Sequence, residues 1–234
     1  MEFVYVVPRE ALFPTCYPQG LERFDQPEDR DLRPTMDRTE ILERIRSEAF
    51  FVERPYAERS PHLKQIIPYT LVVAEDDRMG PRVLLVRRLP QGGEQRLVGK
   101  LSIGIGGHIN PVDCGLDGDH SASSDVDVIA IGAQREIDEE LFVEGDLRLE
   151  AVGLINDDSN PVGAVHVGLV QVLTLAPGHG QRVAVREEEV LEGKLVTPAE
   201  LRKLLDEGAN FETWSRMLVE IIDELVPAPQ PALP

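Results

Sequence analysis

The pattern of apolar and polar positions predicts a chain of strands with a few helices between them. Apolar, β-branched runs predict strands at residues 3–7, 66–74, 83–88, 101–109, 147–155 and 164–175. Helical spacing of apolar residues predicts helices at residues 38–49, 125–141, 198–207 and 211–225. Strands and helices that do not alternate strictly predict an α+β fold, with helices layered on a mixed β-sheet as an α/β/α sandwich.

The N-terminal region, residues 1–65, differs from the remainder of the chain. Several prolines interrupt it, and Asp37 with Glu40 forms a capping-box pattern before the helix at residues 38–49. Its large side chains, such as Phe50, would lower solubility if they were exposed. We therefore predict an N-terminal extension (1–65) that packs on a core domain (66–226) and shapes its pocket or a dimer interface, or else covers a sheet edge. A proline-rich, flexible tail follows at residues 227–234.

Composition narrows the partners that the protein is expected to bind. The 234 residues carry a formal net charge of −18, which opposes binding to nucleic acid polymers and to anionic membranes. No apolar run approaches the ~20 residues of a membrane span. Two distant cysteines, Cys16 and Cys114, form no disulfide framework, and the first residues lack the pattern of a signal peptide. The expected location is the cytoplasm.

The segment Arg135-Glu136-Ile137-Asp138-Glu139-Glu140-Leu141 is the most informative part of the sequence. At roughly 100° per residue, Glu136, Glu139 and Glu140 share one sector of a helix, and Ala133, Ile137 and Leu141 share the adjoining face. Grouped carboxylates repel each other unless a divalent cation binds them, and hard oxygen ligands suit Mg²⁺ or Mn²⁺. Acidic runs of this kind are, however, more often solvated helix faces.

A glycine-rich turn, Gly104-Ile105-Gly106-Gly107-His108, precedes this helix. The dinucleotide-binding fingerprint requires a helix directly after its glycines, and no helix is predicted there. A Walker A sequence is also not present. Together, the turn and the helix resemble the Nudix box, G-x5-E-x7-R-E-U-x-E-E-x-G-U, where U is aliphatic. The resemblance covers roughly residues 66–225.

Three departures from that pattern concern the box itself. Counting back from Arg135 places Asp127 at the position of the outer glutamate, which implies a longer loop after Gly107. Phe142 replaces the glycine near the end of the box, so Gly145 is expected to close the helix instead.

The resemblance implies a metal-dependent hydrolase that cleaves a diphosphate linkage, with a phosphorylated small molecule such as a nucleoside diphosphate derivative as its substrate. The implied ligands of Mg²⁺, or of Mn²⁺ in its place, are Glu136, Glu139, Glu140 and the carbonyl of Gly106. The implied catalytic residues are Glu139, Glu140 and Arg135. The residues expected to bind substrate are Arg87, Arg88, Gly107 and His108.

Several alternatives remain open at the level of sequence. The general base is Glu139 or Glu140, or an acid within residues 187–189. His108 either lines the pocket or packs in the turn, and His166 is expected to be a core histidine. An isopentenyl diphosphate isomerase shares these features, but Cys114 does not match its cysteine motif. A domain that binds nucleotides without catalysis is the remaining alternative.

Overall fold

A computed structural model describes residues 1–24, 36–76, 79–90, 98–115, 127–178, 181–186, 189 and 191–226. The predicted tail at residues 227–234 and most of the loop at 110–126 lie outside these residues. Helices and a mixed β-sheet confirm the α+β class.

Twelve strands occur in the described residues, and we number them in chain order. They are β1 (Phe3–Pro8), β2 (Gly20–Arg23), β3 (Phe50–Glu53), β4 (Leu63–Ala74), β5 (Arg82–Arg88), β6 (Leu101–Ser102), β7 (Gly104–Ile105), β8 (Leu141–Glu144), β9 (Leu147–Asn156), β10 (His166–Leu175), β11 (Arg182–Val185) and β12 (Leu191–Val196).

Seven α-helices occur in the same residues, with 3₁₀ turns at Pro111–Cys114 and Gly163–Val165. They are α1 (Arg9–Leu12), α2 (Arg38–Glu48), α3 (Arg54–Ala57), α4 (Val128–Glu140), α5 (Pro198–Asp206), α6 (Thr213–Glu220) and α7 (Ile222–Leu225).

Two compact units are built from interleaved stretches of the chain. The first unit comprises Met1–Tyr69, Gly106–Glu136 and Ala151–Gln171, and the second comprises Thr70–Ile105, Ile137–Glu150 and Val172–Pro234. The strand β4 passes without a break through positions 65 and 66, where the sequence predicts a domain boundary. The N-terminal region therefore shares a compact unit with two later segments of the chain.

In the first unit, β1 lies between β3 and β4 and pairs antiparallel with both. β2 pairs antiparallel with β9, and β9 is followed in the sheet by β10. One apolar cluster of this unit has fourteen buried members, and half of them come from the N-terminal region: Tyr5, Val7, Leu12, Phe13, Phe24, Ile41 and Ile45. A smaller cluster of Val4, Val6, Ala57 and Leu63 lies in the same unit. The helix α2 contributes Ile41 and Ile45, and the side chain of Asp37 accepts a hydrogen bond from Glu40 N, as the capping pattern predicts.

In the second unit, β5 pairs antiparallel with β4 and β12, and short strands β6 and β7 extend this arrangement. β8 and β11 form a separate two-stranded sheet. The helix α5 begins with a capping box, in which Thr197 Oγ1 accepts a hydrogen bond from Glu200 N and the Glu200 carboxylate accepts one from Thr197 N. The predicted last helix is divided at Ile221 into α6 and α7.

Candidate active site

The helix α4 begins and is anchored by its own sequence. Asp127 precedes it, and its side chain accepts a hydrogen bond from Ala130 N at 3.3 Å, which satisfies one of the donors left open at a helix start. The predicted anchoring residues Ala133, Ile137 and Leu141 are each 1% exposed. Burial of this face leaves Glu136, Glu139 and Glu140 on the adjoining sector of the helix, where Glu139 is the most exposed of the three.

Arg135 is the centre of a hydrogen-bond network on α4. Its guanidinium donates to Asp113 from Nε at 2.8 Å and from Nη2 at 3.1 Å, and to Glu136 Oε1 from Nη1 at 2.6 Å. Nη2 also donates to the carbonyl of His108 at 2.8 Å. The hydrogen bonds to Asp113 raise the pKa of Arg135 further, so the side chain is charged at any relevant pH. Arg135 thus joins the turn after the glycines to the start of the glutamate cluster.

Asp113, rather than Asp127, occupies the place of the outer acid of the box. Five residues separate it from Gly107, as the family pattern requires, and its side chain is 1% exposed against Arg135. Asp127 lies instead at the helix start and forms an ion pair with Arg46 at 2.8 Å. The assignment of Asp127 from sequence is therefore wrong, and the additional residues lie between Asp113 and Arg135. Counting forward from Gly107 would have found Asp113.

The glycines of the turn are required by the space available to them. A Cβ at Gly106 would collide with the carbonyl oxygen of Pro68, and one at Gly107 would collide with the carboxylate of Glu136. A third glycine, Gly132, lies in α4, where a Cβ would come within 3.2 Å of Asp113 Oδ2. Glycine in a helix interior costs about 1 kcal/mol relative to alanine, and here it allows Asp113 to approach the helix.

The other two glutamates of the helix differ in their surroundings. The side chain of Glu140 is 17% exposed, and its Oε1 lies 3.4 Å from Nη2 of Arg88 on β5. Glu139 is exposed. Arg87 is also exposed, and neighbouring residues of a strand project to opposite faces. The two arginines expected to bind substrate therefore do not share a face, and Arg88 is the one beside Glu140.

The donor atoms of α4 fit Mg²⁺ by their chemistry. They are carboxylate oxygens without a nitrogen or sulfur atom among them, which suits a hard cation. Their ligand atoms do not form a trio within 4.8 Å among the described residues. Mg²⁺ keeps several of its waters, so a helix face of separated carboxylates fits this ion better than it fits a metal that needs a closed cage.

One such trio does occur in the part of the chain that the structure describes. Ligand atoms of Glu58, His108 and His166 lie within 4.8 Å of one another, all in the first unit. The two imidazoles approach with their Nε2 atoms 3.3 Å apart, and Nδ1 of His166 lies 2.7 Å from the carbonyl oxygen of Val162. The sequence predicts His166 as a core histidine, and its burial and this hydrogen bond agree with that prediction, but its pairing with His108 was missed. No local motif signals it, because the three residues lie far apart in sequence.

Burial also sets the charge of these two rings. It lowers the pKa of His108 to about 3, with the nearby Arg54 guanidinium as the next cause. Burial also lowers the pKa of His166. Both imidazoles are therefore neutral at neutral pH. His108 is a half-buried residue of the turn, and its backbone carbonyl, rather than its ring, contacts Arg135.

The end of α4 differs from the prediction. The helix stops at Glu140, and Leu141 already begins β8. Gly145, which the sequence predicts as the helix cap, lies with φ 145° in the connection from β8 to β9, so that prediction is wrong. Phe142 takes a different role, because the guanidinium groups of Arg186 and Arg182 lie 3.9 Å and 5.2 Å from its ring centroid.

The remaining predictions concern residues away from α4. Glu187 and Glu188, proposed as an alternative base, lie outside the described residues. Cys114 ends a 3₁₀ turn and packs against the apolar cluster of the first unit, and burial raises the pKa of its thiol. A thiol in such surroundings is a poor acid or nucleophile. In the described residues, no helix is long and apolar enough to cross a membrane.

Comparison with known proteins identifies the family. No protein-family model matches the chain. The chain is 38% identical over 187 residues to Protein YmaB of Bacillus subtilis strain 168, and the alignment covers 79% of this chain and 83% of YmaB. Tm1382, described as a candidate Nudix hydrolase, superposes with a TM-score of 0.71 and 26% identity over 96% of this chain and 100% of its own. With its box assembled from Gly107, Asp113 and α4, the chain belongs to the Nudix hydrolase family.

Proposed function

We propose that this protein is an Mg²⁺-dependent hydrolase that cleaves a diphosphate linkage, with a nucleoside diphosphate derivative as its substrate. Mn²⁺ is expected to replace Mg²⁺. Membership of the Nudix family supports hydrolysis of this general type. The metal is our inference from the carboxylates of α4, and the linkage and the substrate class are what the resemblance to Nudix hydrolases implies.

The observation that carries the proposal is the network around Arg135. Asp113 is almost completely buried, and it fixes the guanidinium that in turn binds Glu136 Oε1 at 2.6 Å. The Glu136 carboxylate also lies against Gly107, where no side chain larger than hydrogen fits. A carboxylate held from two sides loses little conformational entropy when it binds a cation. A solvated acidic helix face would not need this support.

We assign Glu136, Glu139, Glu140 and the carbonyl of Gly106 as the groups that hold Mg²⁺. When bound, Mg²⁺ supplies neutralisation of the diphosphate charge and activation of water. The formal net charge of −18 makes this neutralisation necessary, because the protein surface as a whole repels a phosphorylated substrate.

The side chains of the protein have separate tasks in this proposal. One carboxylate accepts the proton of the attacking water: either Glu139, the most exposed of the three glutamates, or Glu140. Arg88 exchanges its contact with Glu140 for a phosphate oxygen, and Arg87 is assigned to another part of the substrate. The ring of His108 faces His166 and is not assigned to the substrate. Gly107 leaves room for the Glu136 carboxylate beside the turn.

A panel of nucleoside diphosphate derivatives, incubated with Mg²⁺ and assayed for monophosphate or phosphate release, tests the proposal. Wild type should turn over at least one compound, and addition of a chelator should abolish that turnover. Glu139→Gln and Glu140→Gln should lower the turnover. Their matched control is Asp138→Asn, because Asp138 lies on α4 but projects away from the glutamate sector. Binding of a compound without turnover would instead support a domain that binds nucleotides without catalysis.

A further inference from the structure

We propose that Glu58, His108 and His166 form a binding site for one divalent transition-metal ion, separate from the carboxylates of α4. Ligand atoms of these side chains lie within 4.8 Å of one another, and they come from three distant segments of the chain. Imidazole nitrogen prefers transition metals such as Zn²⁺ over Mg²⁺, and two histidines with one carboxylate form a known zinc ligand set.

The spacing of the two imidazoles matches a tetrahedral metal. Two nitrogens that each bind one zinc ion at ~2.0 Å in tetrahedral geometry lie roughly 3.3 Å apart. Nε2 of His108 and Nε2 of His166 are 3.3 Å apart. Both rings therefore already have the separation that a shared ion requires.

The other ring nitrogens face oxygen atoms, which fix the tautomer of His166 and favour the same tautomer of His108. Nδ1 of His166 lies 2.7 Å from the Val162 carbonyl oxygen and must donate its proton to it. Nδ1 of His108 lies 3.7 Å from Glu2 Oε1, whose charge favours a proton on that nitrogen. Metal-binding histidines commonly have such a carbonyl or carboxylate beside the nitrogen that does not bind the metal.

This arrangement leaves a conflict that a cation resolves. With both protons on Nδ1, two Nε2 lone pairs face each other at 3.3 Å. If His108 instead carries its proton on Nε2, its Nδ1 lone pair faces the Glu2 carboxylate. This second tautomer pairs the two rings through an N–H···N hydrogen bond, and its cost is the approach of the Nδ1 lone pair to the Glu2 carboxylate at 3.7 Å. An ion between the Nε2 atoms satisfies both nitrogens and leaves both Nδ1 protons toward their acceptors.

Glu58 supplies the third ligand and the negative charge. Its carboxylate now accepts a hydrogen bond from Arg54 Nε at 3.2 Å, and the same guanidinium donates to Glu2 at 2.9 Å. When Glu58 turns to the ion, Arg54 keeps Glu2 as its partner, so no charge is left without an opposite one nearby. The fourth position of a tetrahedral ion is left for water.

The site joins the N-terminal region to the glycine turn. Glu58 follows α3, His166 begins β10, and the backbone carbonyl of His108 accepts a hydrogen bond from Arg135. A bound ion therefore holds His108, and with it the position of Gly107 beside Glu136. We infer that the ion stabilises the fold and the turn.

Calorimetric titration of the tag-free, chelator-treated full-length chain with ZnCl₂, in excess Mg²⁺, tests the site. We expect one Zn²⁺ per chain. Glu58→Gln and His166→Gln should weaken binding by at least about tenfold. The matched controls His62→Gln and Glu53→Gln change exposed residues and should bind as wild type does. Arg54→Gln removes a competing cation and should bind Zn²⁺ at least as tightly as wild type.

A thermal readout covers the case in which a variant at the buried His166 fails to fold. Zn²⁺ at about a hundred times its Kd should raise the Tm of wild type by roughly 5–10 °C, and Glu58→Gln, at an exposed position, should lack this rise. The triple Gln variant at Glu136, Glu139 and Glu140 should keep it, which separates this site from the proposed hydrolase site. Absence of saturable Zn²⁺ binding, or equal affinities of Glu58→Gln and Glu53→Gln, would overturn the assignment. Weaker binding by Arg54→Gln would do the same.

Discussion

The helix α4 and the N-terminal region place chemically active side chains by opposite means. Glu136, Glu139 and Glu140 lie within five consecutive positions, and the helix alone brings them to one sector. In the N-terminal region, Glu58 has its carboxylate near the rings of His108 and His166, and Lys64 forms an ion pair with Asp158. All of these partners are therefore distant in sequence.

This difference shows which groups of functional side chains can be found from local sequence patterns and which cannot. A helix converts a spacing of three or four positions into proximity, so its chemistry is visible in the sequence. Lys64 shows the opposite case: its side chain is completely buried, and its Nζ donates to Asp158 at 2.7 Å and to the carbonyl of Ala164 at 2.8 Å. Nothing near Lys64 in sequence indicates a buried ion pair, because a lysine in a strand is usually exposed.

Deletion of residues 1–60 should have the largest effect of the changes considered. It removes seven of the fourteen buried members of the first apolar cluster and the strand that pairs with β3 and β4. Each such residue contributes about 1.5–3 kcal/mol by burial, so the truncated chain should aggregate or lose its cooperative melting transition. Differential scanning calorimetry and light scattering measure this. Deletion of 227–234 is the control, and equal melting of both truncations would show that the N-terminal region is dispensable.

Substitution of the proposed base should have the next largest effect. Glu139→Gln or Glu140→Gln keeps the shape of the side chain but removes its charge, and we expect kcat to fall a hundredfold or more, about 3 kcal/mol in the barrier. Steady-state kinetics with the substrate found by the panel measures the change, and Asp138→Asn should stay within about threefold of wild type. A loss below threefold in both glutamine variants would place the chemistry elsewhere.

The stability costs of substitutions at Asp113 and Asp127 show which of the two residues is the outer acid of the box. Asp113→Asn weakens charge-assisted hydrogen bonds to Arg135 at a position that is 1% exposed, and should cost about 2 kcal/mol, or roughly 4–8 °C in Tm. Asp127→Asn retains a good helix cap and loses an exposed ion pair, so it should cost under about 1 kcal/mol. Thermal melts of the Asp113→Asn and Asp127→Asn variants measure the two costs. A reversed order of the two costs would restore Asp127 as the acid of the box.

The smallest expected effect concerns Tyr17 at high pH. Burial raises the pKa of Tyr17 to about 12, and its hydroxyl donates to Asp158 at 2.7 Å. A pKa raised in the folded state stabilises the protein below pH ~10, and that stabilisation is lost as the pH rises from ~10 to about 12. Because the ring is half-exposed, we expect this contribution to the free energy of unfolding to be under about 1 kcal/mol. The Tm difference between wild type and Tyr17→Phe should shrink over this range, and a constant difference would contradict the prediction.

Most of the long elements follow from the sequence, and the misses have physical causes. Strands at 83–88, 147–155 and 164–175 are predicted to within two positions because apolar runs dominate them. β12 was missed because Glu192 and Lys194 interrupt its apolar pattern, although the whole strand pairs with β5. The strand predicted at 101–109 is instead two short strands, β6 and β7, separated at Ile103.

What the sequence determined by itself is the chemistry that a single helix or a short turn contains. The carboxylate sector of α4 and the capping of α2 and α5 depend on residues within a few positions of one another. Only the tertiary structure selected Asp113 as the partner of Arg135, and only it brought His108 to His166 and Lys64 to Asp158. The physical reason is that such pairs form when distant segments are buried together, and the free energy of burial does not depend on their separation along the chain.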